Sequence, residues 1–308
     1  MNNMATQAIS SRRNRIIMHL ACILCILCVC FSATSAYARG KNTTYINQFR
    51  LNQEMERLAE AYGFDFFDPT YSFGLCYLPT GDEYYYNPDI WMFPADLYKV
   101  PVSMMLEINN GGIEGKQYTV DEYLKENGLL LEPTDEEGVY KYAINGFDNK
   151  ISEELKALTD LPSEYFETEF VDNGFFTARY ITNVFKTLYN DIERYPKTSK
   201  QLSEQIVFNK EAYDRLPANY SLEYLLTLAE NDKGEILDHG AGIIYTQSPV
   251  VFTLMSCGSE VTGDMMKELS DYVVHYSNTV SRAEADSLMS QVKVSADLGK
   301  DFYLGFAD

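Results

Sequence analysis

Strand-forming runs occur at two widely separated places in this 308-residue chain, and that separation is what most limits how it can fold. The first place holds Tyr71 to Leu78 and Glu83 to Tyr86, aromatic-rich runs joined by Pro79, Thr80, Gly81 and Asp82, which reads as a β-hairpin. The second holds Leu222 to Leu228, Ala241 to Tyr245 and Val250 to Met255, short β-branched or apolar runs bounded by Gly, Asp and Pro. Between them the pattern is helical, with polar faces over Val120 to Glu126, Lys150 to Leu158 and Thr177 to Tyr189. Helices are also expected from Thr44 to Tyr62, through Met105 and Leu106 after Phe93-Pro94-Ala95-Asp96, and from Val261 to Tyr276. An antiparallel sheet with helices packed on it, plus a helical subdomain from about 113 to 215, accounts for this order: an α+β class fold, an α/β sandwich.

Before this domain, Arg12, Arg13 and Arg15 precede a mostly apolar run from Ile16 to Phe31, and Ala36-Tyr37-Ala38 supplies the small residues a signal peptidase reads. Residues 1–38 are therefore expected to be a secretory signal, residues 39–280 the folded domain and residues 281–308 a tail. An uncleaved anchor is the alternative, and membrane contact is expected only in that case. Cleavage would leave Cys76 and Cys257 as the cysteines, whose pairing the spacing leaves open. With His239 and His275 the remaining histidines, no metal-ligand spacing is present, and no metal or other cofactor is expected. Removing 1–38 leaves 22 Lys plus Arg against 45 Asp plus Glu, a charge of −23. Such a field repels phosphate backbones and speaks against nucleic acid as a partner.

Four segments, in order, carry a family resemblance. Phe93-Pro94-Ala95-Asp96-Leu97-Tyr98-Lys99 opens an apolar helix directly after the hairpin, and Phe147-Asp148-Asn149 heads a later one. Phe176-Thr177-Ala178-Arg179 starts a third helix, and His239 to Tyr245 with Val250 to Met255 reads as two sheet strands. Together these resemble the class A β-lactamases and related penicillin-recognising serine hydrolases, from about residue 45 to about 278. The resemblance implies a five-stranded antiparallel sheet flanked by helices and an acyl-transfer site. There, a Ser at a helix start attacks a carbonyl, assisted by a Lys one turn on, a Ser-Asp-Asn hydroxyl and a Lys-Thr-Gly strand.

The residues at those positions depart from the pattern. Lys99 is present, but Asp96 takes the nucleophile position; a carboxylate beside an ammonium forms an ion pair, and Asp is a favoured helix N-cap worth about 1 kcal/mol. Phe147 replaces the proton-relaying Ser, while Asp148 and Asn149 keep the rest of that motif. Counting back from His239 puts Glu230, Asn231 and Asp232 near the Lys-Thr-Gly position, where carboxylates would repel an anionic substrate. Glu169 with Asn173 is similar to the family's Glu-x-x-Leu-Asn loop. The expectation is an exported, catalytically inactive scaffold whose cleft is ringed by Asp96, Glu230 and Asp232 around Lys99. Its binding role would be toward a small ligand or cell-wall component, with a cationic or neutral ligand favoured, in the envelope or outside the cell. The competing expectation is an active hydrolase using Asp96 or Ser103.

Overall fold

The computed structural model describes residues 52–58, 60–61, 70–109, 112–113, 116–126, 141–142, 149–166, 168–208, 212–217, 219–231, 234–258 and 264–281. The apolar N-terminal run, Phe147, Asp148, Asp232 and the tail after 281 lie outside them. In chain order the elements are helical residues 52–58 with 60–61 (α1), strands β1 (Tyr71–Tyr77) and β2 (Asp82–Tyr86), a 3-10 turn at Ala95–Tyr98, and α2 (Lys99–Ile108). Next come β3 (Gly112–Ile113), β4 (Lys116–Gln117), α3 (Val120–Glu126), β5 (Lys141–Tyr142), α4 (Asn149–Lys156), α5 (Thr168–Val171), α6 (Ala178–Asn190) and α7 (Pro196–Phe208). The chain then forms β6 (Ser221–Asn231), β7 (Ile236–Tyr245) and β8 (Val250–Cys257), and closes on the helical residues 264–281 (α8).

The main sheet runs β2-β1-β8-β7-β6-β5, so the early hairpin docks on the last strand, with Tyr71 opposite Ser256 and Tyr77 opposite Val250. The five antiparallel strands of the sequence reading are present, but the sheet has a sixth member. β5 lies parallel to the end of β6, Lys141 beside Glu230 and Tyr142 beside Asn231. A two-residue strand carries no alternation for sequence periodicity to detect.

β7 and β8 are buried almost throughout, as strands covered on both faces must be. Period-two alternation sends Phe73, Tyr224, Ile244, Phe252 and Leu254 to one core, with Met55 and Leu58 of α1 and Met265, Met266, Leu269 and Val273 of α8. The opposite face sends Leu225, Ala241, Ile243, Val251 and Met255 to a larger core with Val102 and Met105 of α2 and Ile181, Val184 and Phe185 of α6. The insert between the hairpin and the late strands covers one face, with α6 and α7 lying against the sheet.

The register answers the cysteine question. Cys76 pairs with Val251, and Cys257 stands six residues further along β8, which at about 3.4 Å per residue is about 20 Å away. A disulfide needs Cα atoms within about 7 Å, and both thiols are free. Among the described residues no helix is long and apolar enough to cross a membrane, and no group of three or more His, Cys, Asp or Glu could hold a metal ion.

The β6–β7 pair closes tightly at Gly242, where an added Cβ would sit 2.2 Å from the Glu223 carbonyl oxygen and 2.5 Å from the Tyr224 Cα. At Gly240 the atoms met all belong to side chains, the ends of Met266 and Leu226 and the ring of Tyr224. Gly242→Ala is expected to destabilise the fold by about 3 kcal/mol and Gly240→Ala by less, because only side chains can step aside cheaply. Urea unfolding of the two variants checks the order.

Candidate functional site

The segment entering α2 is held from three directions before any chemistry begins. Met92 and Phe176 exchange backbone hydrogen bonds of 2.8 and 2.9 Å, and the Arg179 N–H donates to the Pro88 carbonyl at 3.1 Å. Arg179 also grips Asp89 through Nε and Nη2, at 2.6 and 2.9 Å, which lowers the Asp89 carboxyl from its ordinary range. Thr177 caps α6 by accepting from the Tyr180 N–H at 3.0 Å. From the sheet side, His239 Nε2 lies 2.7 Å from the Phe93 carbonyl oxygen and its Nδ1 accepts from the Ser256 N–H at 3.1 Å, which assigns the ring proton to Nε2. Tyr98 fastens the far end by donating to the Gly174 carbonyl at 2.6 Å.

Between these anchors the backbone is strained: Ala95 is fully buried and has φ 46°, a region in which a residue with a Cβ costs on the order of 1–2 kcal/mol. The 3-10 turn begins there, so Asp96 lies within the turn. Pro94 occupies the position preceding it, and Tyr98 the capping position of α2. The N-cap expected of Asp96 is thereby corrected, because the turn starts before it. Its charge still sits in the first turn, where a helix N-terminus favours an anion.

Asp96 Oδ1 is 3.1 Å from Lys99 Nζ, with about a quarter to a third of each side chain exposed. Among the described residues, the Asp96 carboxylate is the polar partner of the Lys99 ammonium. A pair this exposed is worth about 0.2–1 kcal/mol, so its importance is chemical: the turn presents an acceptor-only carboxylate beside an ammonium.

Ser103, the alternative hydroxyl, is committed elsewhere. It is buried, 2.7 Å from Thr198 Oγ1 and 3.3 Å from Gln201 Oε1, and so joins α2 to α7. One turn on, Glu107 accepts from the Lys197 and Thr198 N–H groups at 2.8 and 2.9 Å, seating the start of α7 on α2.

This seat creates a cleft of about 360 Å³ lined by Lys99, Thr119, Val120, Asp121, Gln201, Glu204 and Gln205. Its α3 wall is fixed by a capping box: the Glu122 N–H donates to Thr119 Oγ1, and Glu122 Oε2 accepts from the Thr119 N–H. The sequence reading missed Asp121, Gln201, Glu204 and Gln205. Pro196 at the head of α7 and the Thr119-x-x-Glu122 spacing were signals for the two helices that carry them.

Glu230 lies near the end of β6, the strand that packs against the turn carrying Asp96. The uninterrupted β6–β7 register pairs Glu230 with Ile236 beside the hairpin turn, while Thr227 is the residue opposite His239. By alternation Glu230 shares the α8 face with Leu226 and Leu228, whereas Leu225 and Ala229 belong to the core that contains Ala95 and Lys99's neighbour Val100. Asn231 ends β6, Asn149 begins α4, and their side chains, like Phe147, Asp148 and Asp232, are outside the described residues. Glu169 lies in α5, its carbonyl accepting from the Phe175 N–H at 2.8 Å, and Asn173 is exposed.

No protein-family model matches the chain, and no curated protein does so. Solved structures do. A β-lactamase from Chitinophaga pinensis is 12% identical, covering 74% of this chain and 98% of that one, with a TM-score of 0.46. A representative class A β-lactamase from Bacteroides cellulosilyticus is 13% identical over 68% of this chain and 92% of that one, also at 0.46. An ancestral class A β-lactamase is 17% identical over 76% of this chain and 99% of that one, at 0.42. The chain is an α+β protein similar in fold to the class A β-lactamases. Its architecture stands on the strand order and helical faces above, and its chemistry has to come from its own site.

His239 supplies a test of how that site is held. Full burial pushes its imidazole down to about 4, against about 6.5 in an unfolded chain. Between those values the unfolded state binds the extra proton. This contribution to stability is therefore complete above pH 6.5 and lost as pH falls toward 4, by about 3 kcal/mol in all. The stability gap between the wild type and His239→Leu, read by urea unfolding, is expected to narrow from pH 7 to pH 4.5. Parallel pH curves would contradict it.

Proposed function

We propose that this chain is an exported β-lactamase-like protein that has lost hydrolysis and keeps its cleft for binding, with a role in the cell envelope or outside the cell. The observation that carries the reading is the Asp96–Lys99 ion pair at 3.1 Å, held on a strained turn at the head of α2. Acyl transfer through this turn would need a nucleophilic oxygen carrying a removable proton, and a carboxylate paired with an ammonium has none to give. Two further losses point the same way: Phe147 has no proton to relay, and β6 contains no lysine to meet a substrate carboxylate. Export rests on the basic, then apolar, then small-residue order of residues 12–38.

Incubation of the purified protein with a fluorescent penicillin and a chromogenic cephalosporin is expected to give neither covalent labelling nor turnover. Asp96→Ser is expected to restore neither, since the two other losses remain. Labelling of the wild type, or robust hydrolysis by Asp96→Ser, would overturn the reading in favour of a hydrolase. For export, N-terminal sequencing of the protein recovered outside the cytoplasm is expected to begin at Arg39.

A further inference from the structure

α6 and α7 are equal in length and unequal in grip. α6 buries Tyr180, Ile181, Val184, Phe185 and Leu188 among its 13 residues, whereas Thr198 and Leu202 are the buried residues among the described side chains of α7, also 13 residues long. Helices in proteins are held mainly by apolar packing, so α7 has to rely on polar contacts with its neighbours α2 and β6. On the α2 side Glu107 acts as a latch. Its Oε1 accepts from the Lys197 N–H at 2.8 Å, and its Oε2 accepts from the Thr198 N–H at 2.9 Å and the Thr198 hydroxyl at 2.6 Å. Two of the N–H groups left over at a helix start are thereby satisfied by an anion, the charge favoured there. On the β6 side Glu223 works in the opposite sense. It is 8% exposed, and its Oε1 accepts from the Ser199 hydroxyl at 2.8 Å. Its Oε2 and the neighbouring Tyr245 hydroxyl are both buried, and the two do not close a hydrogen bond of ordinary geometry. A buried carboxylate with one oxygen unanswered is destabilised until water reaches it.

We propose that α7 is a hinged flap: it leaves β6 as one unit, pivoting at the buried Tyr195, while the sheet and α6 stay folded. Glu107 holds the flap shut, and hydration of Glu223 draws it open. Elements that open locally are those with few buried apolar contacts, and α7 is such an element beside a well-packed α6. Opening wets Glu223, uncovers the face of β6 that carries it, and removes the wall that Gln201, Glu204 and Gln205 give to the cleft. Two carboxylates of opposite effect on one helix separate a flap from general looseness, because a helix that is merely weakly packed has no residue whose neutralisation tightens it. The proposal goes beyond the loss of hydrolysis and does not depend on it.

Amide hydrogen exchange of the full chain freed of residues 1–38, read by mass spectrometry on peptides covering α6 and α7, tests this. In the wild type the hydrogen-bonded amides of α7 are expected to exchange at least about a hundredfold faster than those of α6. Their rate should also rise less steeply with urea, because a partial opening exposes less surface than global unfolding. Glu107→Gln, which turns amide donors toward the start of α7, is expected to speed α7 exchange about tenfold. Glu223→Gln removes the buried charge and keeps an acceptor for Ser199, and is expected to slow α7 exchange at least about threefold. Circular dichroism identifies a variant that has merely unfolded, in which case the wild-type comparison and the other variant carry the test. A common rate for α6 and α7, an unchanged α7 rate in folded Glu107→Gln, or unchanged or faster α7 exchange in folded Glu223→Gln each overturns the proposal. No substrate enters the measurement, so its failure leaves the loss of hydrolysis standing, and penicillin labelling in turn says nothing about the flap.

Discussion

Burial of both faces of the central sheet is the constraint from which the rest of this structure follows. β7 and β8 expose almost nothing, so the chain must supply two separate helical layers, one from its ends and one from its middle. α1 and α8 meet each other from opposite ends of the domain to cover one side. The long insert covers the other and, in doing so, brings α2, α3 and α7 together at the sheet's edge, where the cleft lies. The site is thus a by-product of closing the larger core.

What positions the site is mostly neutral hydrogen bonding. The Met92–Phe176 bridge, the His239 ring and the Tyr98 hydroxyl fix the turn at its start, middle and end, and together they hold Ala95 in a conformation it would not choose. That strain is retained although the residue it presents is an aspartate. The strain at Ala95 is therefore carried by the contacts around it, and the turn they hold presents Asp96 and Lys99 together.

The fold was legible in the sequence because its strongest signals are periodic and long. The hairpin, the three late strands, α3 and α6 fall within a few residues of where alternation and helical spacing put them. The site was less legible. Lys99 and Asp96 could be found, being three apart on one turn, but the residues facing them come from α7, whose stretch Pro196–Phe208 is polar with one well-buried leucine, Leu202, and offers little apolar periodicity. The end of β6 was also illegible, because the strand runs to Asn231, well past the apolar stretch that ends at Leu228.

The docking of β1 on β8 has a consequence in time as well as in space. These neighbours come from opposite ends of the domain, so loop closure over nearly its whole length must precede completion of the sheet. A ribosome has to release almost all of this polypeptide before its middle strand exists, and contacts of such high sequence separation form slowly.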